Sequence, residues 1–188
     1  KTSSDGCKKC KEGDRPDDGD SEECPQANDC AASWVNLINR EYRDRLVDLD
    51  PIPFSVGDIF ESVRDIVLPI AEEKGLAVHL HTPDATFRVG HPVAISRVLL
   101  NLTTNALKFT NEGAVEVQGI PLDGDRVEFS VRDTGRGIPP QAMASLFEPF
   151  RRRQQPGDYA FSGSGLGLSI CRKLVEAMGS ELTVSTVQ

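Results

Sequence analysis

The segment NLTTNALKFT, residues 101–110, carries two amides and one ammonium group among apolar residues. At about 100° per residue, Asn101, Asn105 and Lys108 fall on one narrow stripe of a helix. The rest of this helix is apolar nearly all round, which is typical of a buried helix. An amide oxygen is a hard ligand for a divalent cation, and an ammonium group neutralises phosphate. Buried polar groups need partners, so either a bound ligand or water and the backbone of a nearby loop must satisfy this stripe.

Two glycine-rich segments offer complementary chemistry. In GSGLGL, residues 163–168, alternate glycines before a helix N-terminus suit phosphate, because the backbone can approach closely and direct its N–H groups at the anion. The other interpretation is a simple helix-entry turn. In DTGRGI, residues 133–138, Asp133 leaves a strand for a turn. Its carboxylate either caps that turn or, if buried, accepts a hydrogen bond from an exocyclic amino group such as that of adenine.

Other nucleotide motifs do not fit this sequence. GSGLGL follows a long polar loop and lacks the G-x-G-x-x-G spacing of a dinucleotide-binding turn. The Walker P-loop pattern and the H-R-D and D-F-G motifs of protein kinases are also absent. The polar loop itself, RRRQQPGDYAFSGS over residues 151–164, begins with three arginines. Such a charge run is usually a solvated face.

Periodicity and turn residues predict the elements that must position these segments. We predict helices over residues 57–74, from Pro92 through the amide stripe, after Pro139 and Pro140 with LFEPF at its end, and over residues 166–178. We predict strands at residues 52–56, 76–82, 86–90, 114–120, 126–133 and 181–187, the fourth and fifth forming a hairpin around residues 123–125. This mixture predicts an α/β fold, a two-layer sandwich.

Composition limits the classes of partner and compartment. The chain has 188 residues, a net charge of −8 and a pI near 4.9, which argues against a nucleic-acid surface. It has no apolar run of about 18 residues and no secretory signal, so we expect a cytoplasmic domain, whose parent protein could still be membrane-anchored.

Residues 1–32 are rich in Asp, Glu, Gly and Pro, which predicts a disordered arm. Four cysteines lie in this arm: Cys7, Cys10, Cys24 and Cys30. The first pair has the gap of a zinc knuckle and the second pair does not, so a Zn²⁺ site is the alternative to an arm that merely carries thiols. Residues 33–50 predict a helix or linker from a preceding region, and residues 51–188 the globular domain.

Taken in order, NLTTNALKFT, DTGRGI, LFEPF and GSGLGL resemble the N box, first glycine box, F box and second glycine box of the GHKL superfamily. The resemblance is strongest to the ATP-binding catalytic domain of two-component sensor histidine kinases, and it covers about Pro51 to Val187. It implies the Bergerat fold, a mixed sheet with helices on one face and a mobile ATP lid. It also makes residues 33–50 the end of a dimerisation region.

The resemblance implies a role for each box. Asn105 would coordinate the Mg²⁺ that bridges the ATP phosphates, with Asn101 and Lys108 on phosphate oxygens; these three are the implied catalytic residues. Asp133 would receive the adenine amino group. The other implied cofactor-binding residues are Gly135, Gly137, Phe150, Arg151, Gly163, Gly165, Leu166 and Gly167. One of Arg151, Arg152 and Arg153 would be the lid arginine that binds the γ-phosphate bidentately.

By resemblance, the chain would bind Mg-ATP and transfer the γ-phosphoryl group to a histidine on a dimerisation hairpin upstream or on a partner. Its parent would be a homodimeric sensor kinase that signals to a response regulator. The alternatives are a degenerate nucleotide-binding regulatory module, a gyrase-type GHKL ATPase, and an interaction protein that acts through its cysteine-rich arm. Asn101 argues against the ATPase, since the hydrolytic branches typically have a water-activating Glu there and an amide is no general base.

The phosphoacceptor histidine is absent from this chain. His79 and His81 lie in a predicted strand without a following acidic residue, and we interpret them as ordinary strand histidines. His91 stands where the family often has Asp, at the start of the helix that carries the amide stripe.

Overall fold

Residues 50–83, 87–123, 126–149 and 166–186 are described by the computed structural model. Within these residues the helices are α1 (Val56–Lys74), α2 (Pro92–Phe109), α3 (Pro140–Met143) and α4 (Gly167–Ala177), and the strands are β1 (Ile52–Ser55), β2 (Ala77–His81), β3 (Phe87–Gly90), β4 (Ala114–Pro121) and β5 (Val127–Asp133). The mixed α/β composition predicted from the sequence is confirmed.

Helix α1 begins and ends at residues suited to its termini. The hydroxyl of Ser55 accepts a hydrogen bond of 3.3 Å from the Asp58 amide, which satisfies one free N–H group of the first turn. The helix ends at Gly75, whose φ of +67° is the left-handed conformation that favours glycine. Its buried apolar residues recur at helical spacing, as predicted, and the helix starts one residue earlier than we expected.

The strands form a mixed sheet and a separate ribbon. β2, β4 and β5 lie side by side in that order, with β2 parallel to β4 and β4 antiparallel to β5. The antiparallel pair confirms the predicted hairpin, and Val117 lies opposite Val131 in its register. β1 and β3 pair antiparallel as a two-stranded ribbon. Since parallel strands need a crossover, the chain between β2 and β4 returns through α2.

Helix α2 lies between two apolar clusters. On one side, Leu99, Ala106 and Leu107 pack with α1 and with the buried face of β4. On the other side, Ala94 and Val98 pack against α4. This two-sided burial confirms that α2 is a buried helix, and it explains why its sequence is apolar nearly all round. With α1 and α2 covering the sheet, the two-layer α/β sandwich is confirmed.

Residues 181–186 differ from the predicted strand. Leu182, Val184 and Thr186 are half-buried and alternate with exposed residues, so the period-two pattern identifies the faces correctly. Within the described part of the chain, however, these residues join no strand. The amide of Ile138 donates instead to the Thr186 hydroxyl at 3.1 Å. Alternation indicates which side chains are buried but not which strand supplies a hydrogen-bond ladder, and for this reason the prediction was wrong.

The LFEPF segment follows a helix rather than closing one. Helix α3 ends at Met143, and the next residues continue as tight turns. In these turns the amide of Leu146 donates to Met143 at 3.3 Å, and the amide of Glu148 donates to Ser145 at 3.1 Å. Pro149 also disfavours helical backbone at the residue before it, which opposes an extension of α3 through LFEPF.

Two predicted segments lie almost wholly outside the described residues. The cysteine-rich arm, residues 1–32, and the helix predicted over residues 33–50 stay predictions. Among the helices that the structure does describe, none combines the length and the apolar character that a bilayer span requires.

Candidate functional site

The amide stripe of α2 forms as the spacing predicts. Asn101 and Asn105 are half-buried, and the Nδ2 atom of Asn105 donates a hydrogen bond of 3.0 Å to Oδ1 of Asn101. An amide ligates a cation through its oxygen, and Asn105 bonds to Asn101 through Nδ2, so this bond does not use its Oδ1. One turn further along, Lys108 is also half-buried.

Helix α4 meets α2 directly at this stripe. A Cβ atom added to Gly167 would lie 2.4 Å from Oδ1 and 2.7 Å from Nδ2 of Asn101. Position 167 therefore has room only for glycine while the Asn101 amide keeps its place. The sequence indicated glycines for phosphate binding, whereas the structure gives Gly167 a second reason, which is close packing of one helix on a polar side chain of another.

The N-terminus of α4 lies next to the Asn101 amide. The helix starts at Gly167, and Leu166 occupies the capping position without a side-chain hydrogen bond to the helix. The first-turn N–H groups of a helix have no intrahelical acceptor, and the helix dipole adds positive potential there. The C-terminal end matches its prediction, since Gly179 has a φ of +67° just beyond Met178. Backbone donors and side-chain amides thus converge in a way that suits an anion.

The Asp133 carboxylate caps its own turn, and its role toward an adenine amino group stays a prediction. Oδ1 of Asp133 accepts a hydrogen bond of 2.8 Å from the Gly135 amide, so the carboxylate caps its own turn. Asp133 is exposed in the structure, which corrects the expectation of a buried carboxylate. The reason is its position at the end of β5, where the chain leaves the sheet. The second carboxylate oxygen stays available to a ligand.

A different local constraint requires glycine at each of two positions in this turn. A Cβ at Gly135 would lie 2.6 Å from the carbonyl oxygen of Phe109, so the turn packs closely on the end of α2. Gly137 has a φ of +66°, in the left-handed region that other residues rarely adopt. The first glycine box and the N box are therefore in direct contact.

The Phe109 ring lies beside the turn, with two cationic side chains close to it. Lys108 Nζ and Arg136 Cζ each lie 5.2 Å from the centroid of the Phe109 ring, and 40% of Phe109 is exposed. Arg136 was not among the predicted site residues. It follows Gly135 in the sequence, but only the contact between the turn and α2 brings it to Phe109, and no periodicity within one segment reveals such a contact.

The F box contacts α4. The Arg172 guanidinium lies 5.2 Å from the centroid of the Phe147 ring, and its Nε donates to Glu176 at 2.9 Å. Phe147 thereby packs near the helix that follows the polar loop. The predicted site residues Phe150, Arg151, Gly163 and Gly165 lie outside the described residues, as do the other two arginines of the loop.

The three histidines, all among the described residues, take part in none of the contacts above. His79 and His81 are exposed in β2, which confirms them as strand histidines, and Nε2 of His81 lies 3.2 Å from Glu116. His91 occupies the capping position of α2 but makes no side-chain cap. The described residues contain no group of three His, Cys, Asp or Glu that could hold a metal ion. The four cysteines of the zinc prediction lie outside them.

The sequence is similar to parts of curated sensor kinases. The chain is 34% identical over 140 residues to the sensor histidine kinase RcsC of Escherichia coli strain K12, a match that covers 73% of this chain and 15% of that protein. It is 34% identical over 146 residues to the sensor histidine kinase GacS of Pseudomonas protegens, covering 73% and 16%. The chain thus spans about 15% of the length of these relatives.

Solved structures share the fold. The crystal structure of full-length ShkA in complex with AMPPNP matches with a TM-score of 0.62 and 29% identity, covering 84% of this chain and 35% of that one. The nucleotide-free catalytic domain of the histidine kinase ThkA matches with a TM-score of 0.58 and 25% identity, covering 69% and 82%. The fold is the Bergerat fold of histidine kinase ATP-binding domains.

One family profile covers the site described above. The family described as "Histidine kinase-, DNA gyrase B-, and HSP90-like ATPase" matches residues 90–188, which include the amide stripe, the Asp133 turn and the start of α4. The chain therefore belongs to the histidine kinase-, DNA gyrase B- and HSP90-like ATPase family.

Proposed function

We propose that this chain is the ATP-binding catalytic portion of a sensor histidine kinase. It binds Mg-ATP and transfers the γ-phosphoryl group to a histidine on a dimerisation hairpin outside this chain. The contact between Gly167 and Asn101 carries the proposal, because it joins the backbone donors of α4 to the amide stripe of α2. The relatives are sensor kinases, and the neighbour ShkA was crystallised with AMPPNP, which supports the same conclusion.

The donor set fits Mg²⁺ at Asn105. Its amide oxygen is a hard ligand, and the amide nitrogen is already used in the bond to Asn101. A single protein ligand suits Mg²⁺, which usually keeps waters and phosphate oxygens as its other ligands. The ion would supply charge neutralisation for the phosphates. Lys108 adds a positive charge one turn away, and the amides of Gly167 and its neighbours orient the phosphate chain.

The Asp133 turn is the proposed adenine site. The free carboxylate oxygen of Asp133 accepts the exocyclic amino group, while Gly135 and Gly137 keep side chains away from the base. Phe109 offers an exposed apolar ring beside the same turn. Selectivity for adenine would then arise from this hydrogen bond, with the Phe109 ring as an apolar surface beside the base.

The proposed partners follow from the proposed reaction. A histidine on the dimerisation hairpin accepts the phosphoryl group, and a response regulator receives it in turn. The parent protein is proposed to be a homodimer. The amide at Asn101 favours this transfer over hydrolysis, since it cannot remove a proton from water at neutral pH.

Isothermal titration with Mg-AMPPNP tests the binding step. We expect saturable binding that weakens when Mg²⁺ is replaced by EDTA, and the absence of binding at about 1 mM nucleotide would contradict the proposal. The transfer step is tested by supplying a dimerisation hairpin from a sensor kinase and following phosphohistidine. Nucleotide binding without any transfer, with hairpins of several relatives, would favour a regulatory module instead.

A further inference from the structure

The last residue of α1 reaches across to the end of α2. Lys74 Nζ donates hydrogen bonds to the carbonyl oxygens of Leu107 and of Thr110, the latter at 2.9 Å, and it lies 3.4 Å from the carbonyl oxygen of Lys108. The lysine is half-buried, and it precedes Gly75, the residue at which α1 ends. No motif in the sequence singles it out, because its partners lie more than 30 residues away.

These contacts satisfy the acceptors that a helix end leaves unpaired. The last carbonyl groups of a helix have no intrahelical donor. Ala106 receives both the amide and the hydroxyl of Thr110, at 3.0 and 2.8 Å, whereas the next two carbonyls are approached by Lys74. A positive charge is also favourable at the C-terminal end of the helix dipole. Lys74 therefore fixes the last turn of α2.

The end of α2 and the residues that follow it both contact the Asp133 turn. The Phe109 carbonyl packs against Gly135, as described above. The Thr134 hydroxyl accepts the amide of Ala114 at 3.0 Å and donates to the carbonyl of Glu112 at 3.3 Å. Movement of the chain after α2 would therefore move the residues that flank Asp133.

We propose that Lys74 is a positioning residue for adenine-nucleotide binding, which holds the end of α2 and, through it, the Asp133 turn. The proposal rests on the function proposed above. On this proposal Lys74 touches neither nucleotide nor metal and acts by setting the position of Phe109 and of the Asp133 turn. Because the Asp133 turn is the proposed adenine site, we expect loss of Lys74 to weaken the binding of ADP more than the binding of inorganic tripolyphosphate.

The first test compares charge variants in the whole chain by titration with Mg-ADP. Lys74→Met keeps the length of the side chain and removes three donors, and we expect its Kd to rise about tenfold, the effect of one charged hydrogen bond. Lys74→Arg keeps charge and donors and stays within about threefold of the wild type. Arg64→Met removes a charge from the exposed face of the same helix and serves as the matched control, with an unchanged Kd. An unchanged Kd in Lys74→Met overturns the proposal.

A double-mutant cycle separates positioning from general stabilisation. If Lys74 acts through the turn, Lys74→Met costs less than about threefold once Asp133→Asn has already weakened base recognition. The same tenfold loss in both backgrounds would mean that Lys74 does not act through Asp133, and would overturn the proposal.

A measurement without nucleotide keeps this inference distinct from the proposed function. Amide hydrogen exchange at Gly135 should accelerate in Lys74→Met relative to Arg64→Met, while amides in the middle of α4 keep their protection. Unchanged exchange at Gly135, or equal acceleration throughout the domain, overturns the positioning role. Failure of the wild-type chain to bind Mg-ADP would contradict the proposed function, and the exchange result would still decide how Lys74 acts on the turn.

Discussion

A methyl group at position 167 would collide with the Asn101 side chain. The added Cβ of Gly167→Ala would lie 2.4 Å from Oδ1, 2.7 Å from Nδ2 and 2.9 Å from Cγ of Asn101, all closer than real Cβ contacts allow. The amide cannot turn aside freely, because its oxygen accepts the 3.0 Å hydrogen bond from Asn105. We therefore expect the substitution to displace both amides of the proposed phosphate and metal site.

Two opposing effects set the change in stability. Alanine is favoured over glycine within a helix by about 1 kcal/mol, and by less at a first helical residue such as position 167. Overpacking costs about 1–3 kcal/mol, and loss of the bond between the amides adds about 1 kcal/mol. The clash wins. We expect the free energy of unfolding to fall by about 1–3 kcal/mol and the Kd for Mg-AMPPNP to rise at least about tenfold.

Thermal unfolding and calorimetric titration of the same samples measure both quantities. Gly179→Ala is the matched control: its φ of +67° strains alanine, but no atom lies within 4 Å of the added Cβ. It should lose about 1 kcal/mol of stability without any change in nucleotide affinity. If Gly167→Ala binds Mg-AMPPNP as tightly as the wild type, the junction of α4 with Asn101 is not the phosphate site, and the reasoning fails.

Three further substitutions test separate parts of the site and core. Asp133→Ala should weaken ADP binding by about 1–3 kcal/mol and leave inorganic tripolyphosphate binding unchanged, and equal losses would mean that the carboxylate only braces the turn. Asn105→Asp removes the donor to Asn101 and sets two oxygens against each other, so Mg-ATP affinity or phosphoryl transfer should fall; unchanged values for both would refute its role. Burial raises the pKa of Cys171 from 9.0 to about 12, so the native thiol keeps its proton where the unfolded chain loses it. Its contribution to stability is complete below pH 9 and lost as the pH rises towards 12, so denaturant titrations should show a shallower alkaline decline for Cys171→Ala than for the wild type.

The periodic elements of this fold are predictable from the sequence because each depends on local spacing. Helical spacing with Gly75 and Gly179 as stops locates α1 and α4 to within a residue or two. The strand prediction over residues 181–187 failed for a non-local reason, since a ladder requires a partner strand that alternation does not specify. For the same reason the sequence did not predict that β1 and β3 form a ribbon apart from β2, β4 and β5.

The site residues likewise separate into those that local spacing predicts and those that depend on packing between elements. The stripe of Asn101, Asn105 and Lys108 lies on one helix, so its geometry follows from the helical repeat. Arg136 meets Phe109, and Lys74 meets the end of α2, only through packing between elements, and a single sequence carries no signal for such contacts. Asp133 lies between these cases: its turn was recognised from residue types, but its exposure depends on where β5 ends.

The hydrogen bond between the two stripe amides bears on the choice between phosphoryl transfer and hydrolysis. Asn101 Oδ1 is already an acceptor for Asn105, and the rest of the amide lies against Gly167, so the side chain is held by both neighbours. A group held in this way, with no basic atom at neutral pH, can orient phosphates but cannot activate water. The isolated chain should therefore bind ATP well but release phosphate from it slowly. The substitution Asn101→Glu would place a carboxylate at this position. Because Asn101 packs beside Gly167 and is hydrogen-bonded to Asn105, we expect the longer side chain to displace these neighbours and the variant to lose nucleotide affinity rather than gain hydrolysis. Rapid phosphate release by Asn101→Glu would show that the amide alone had set the reaction.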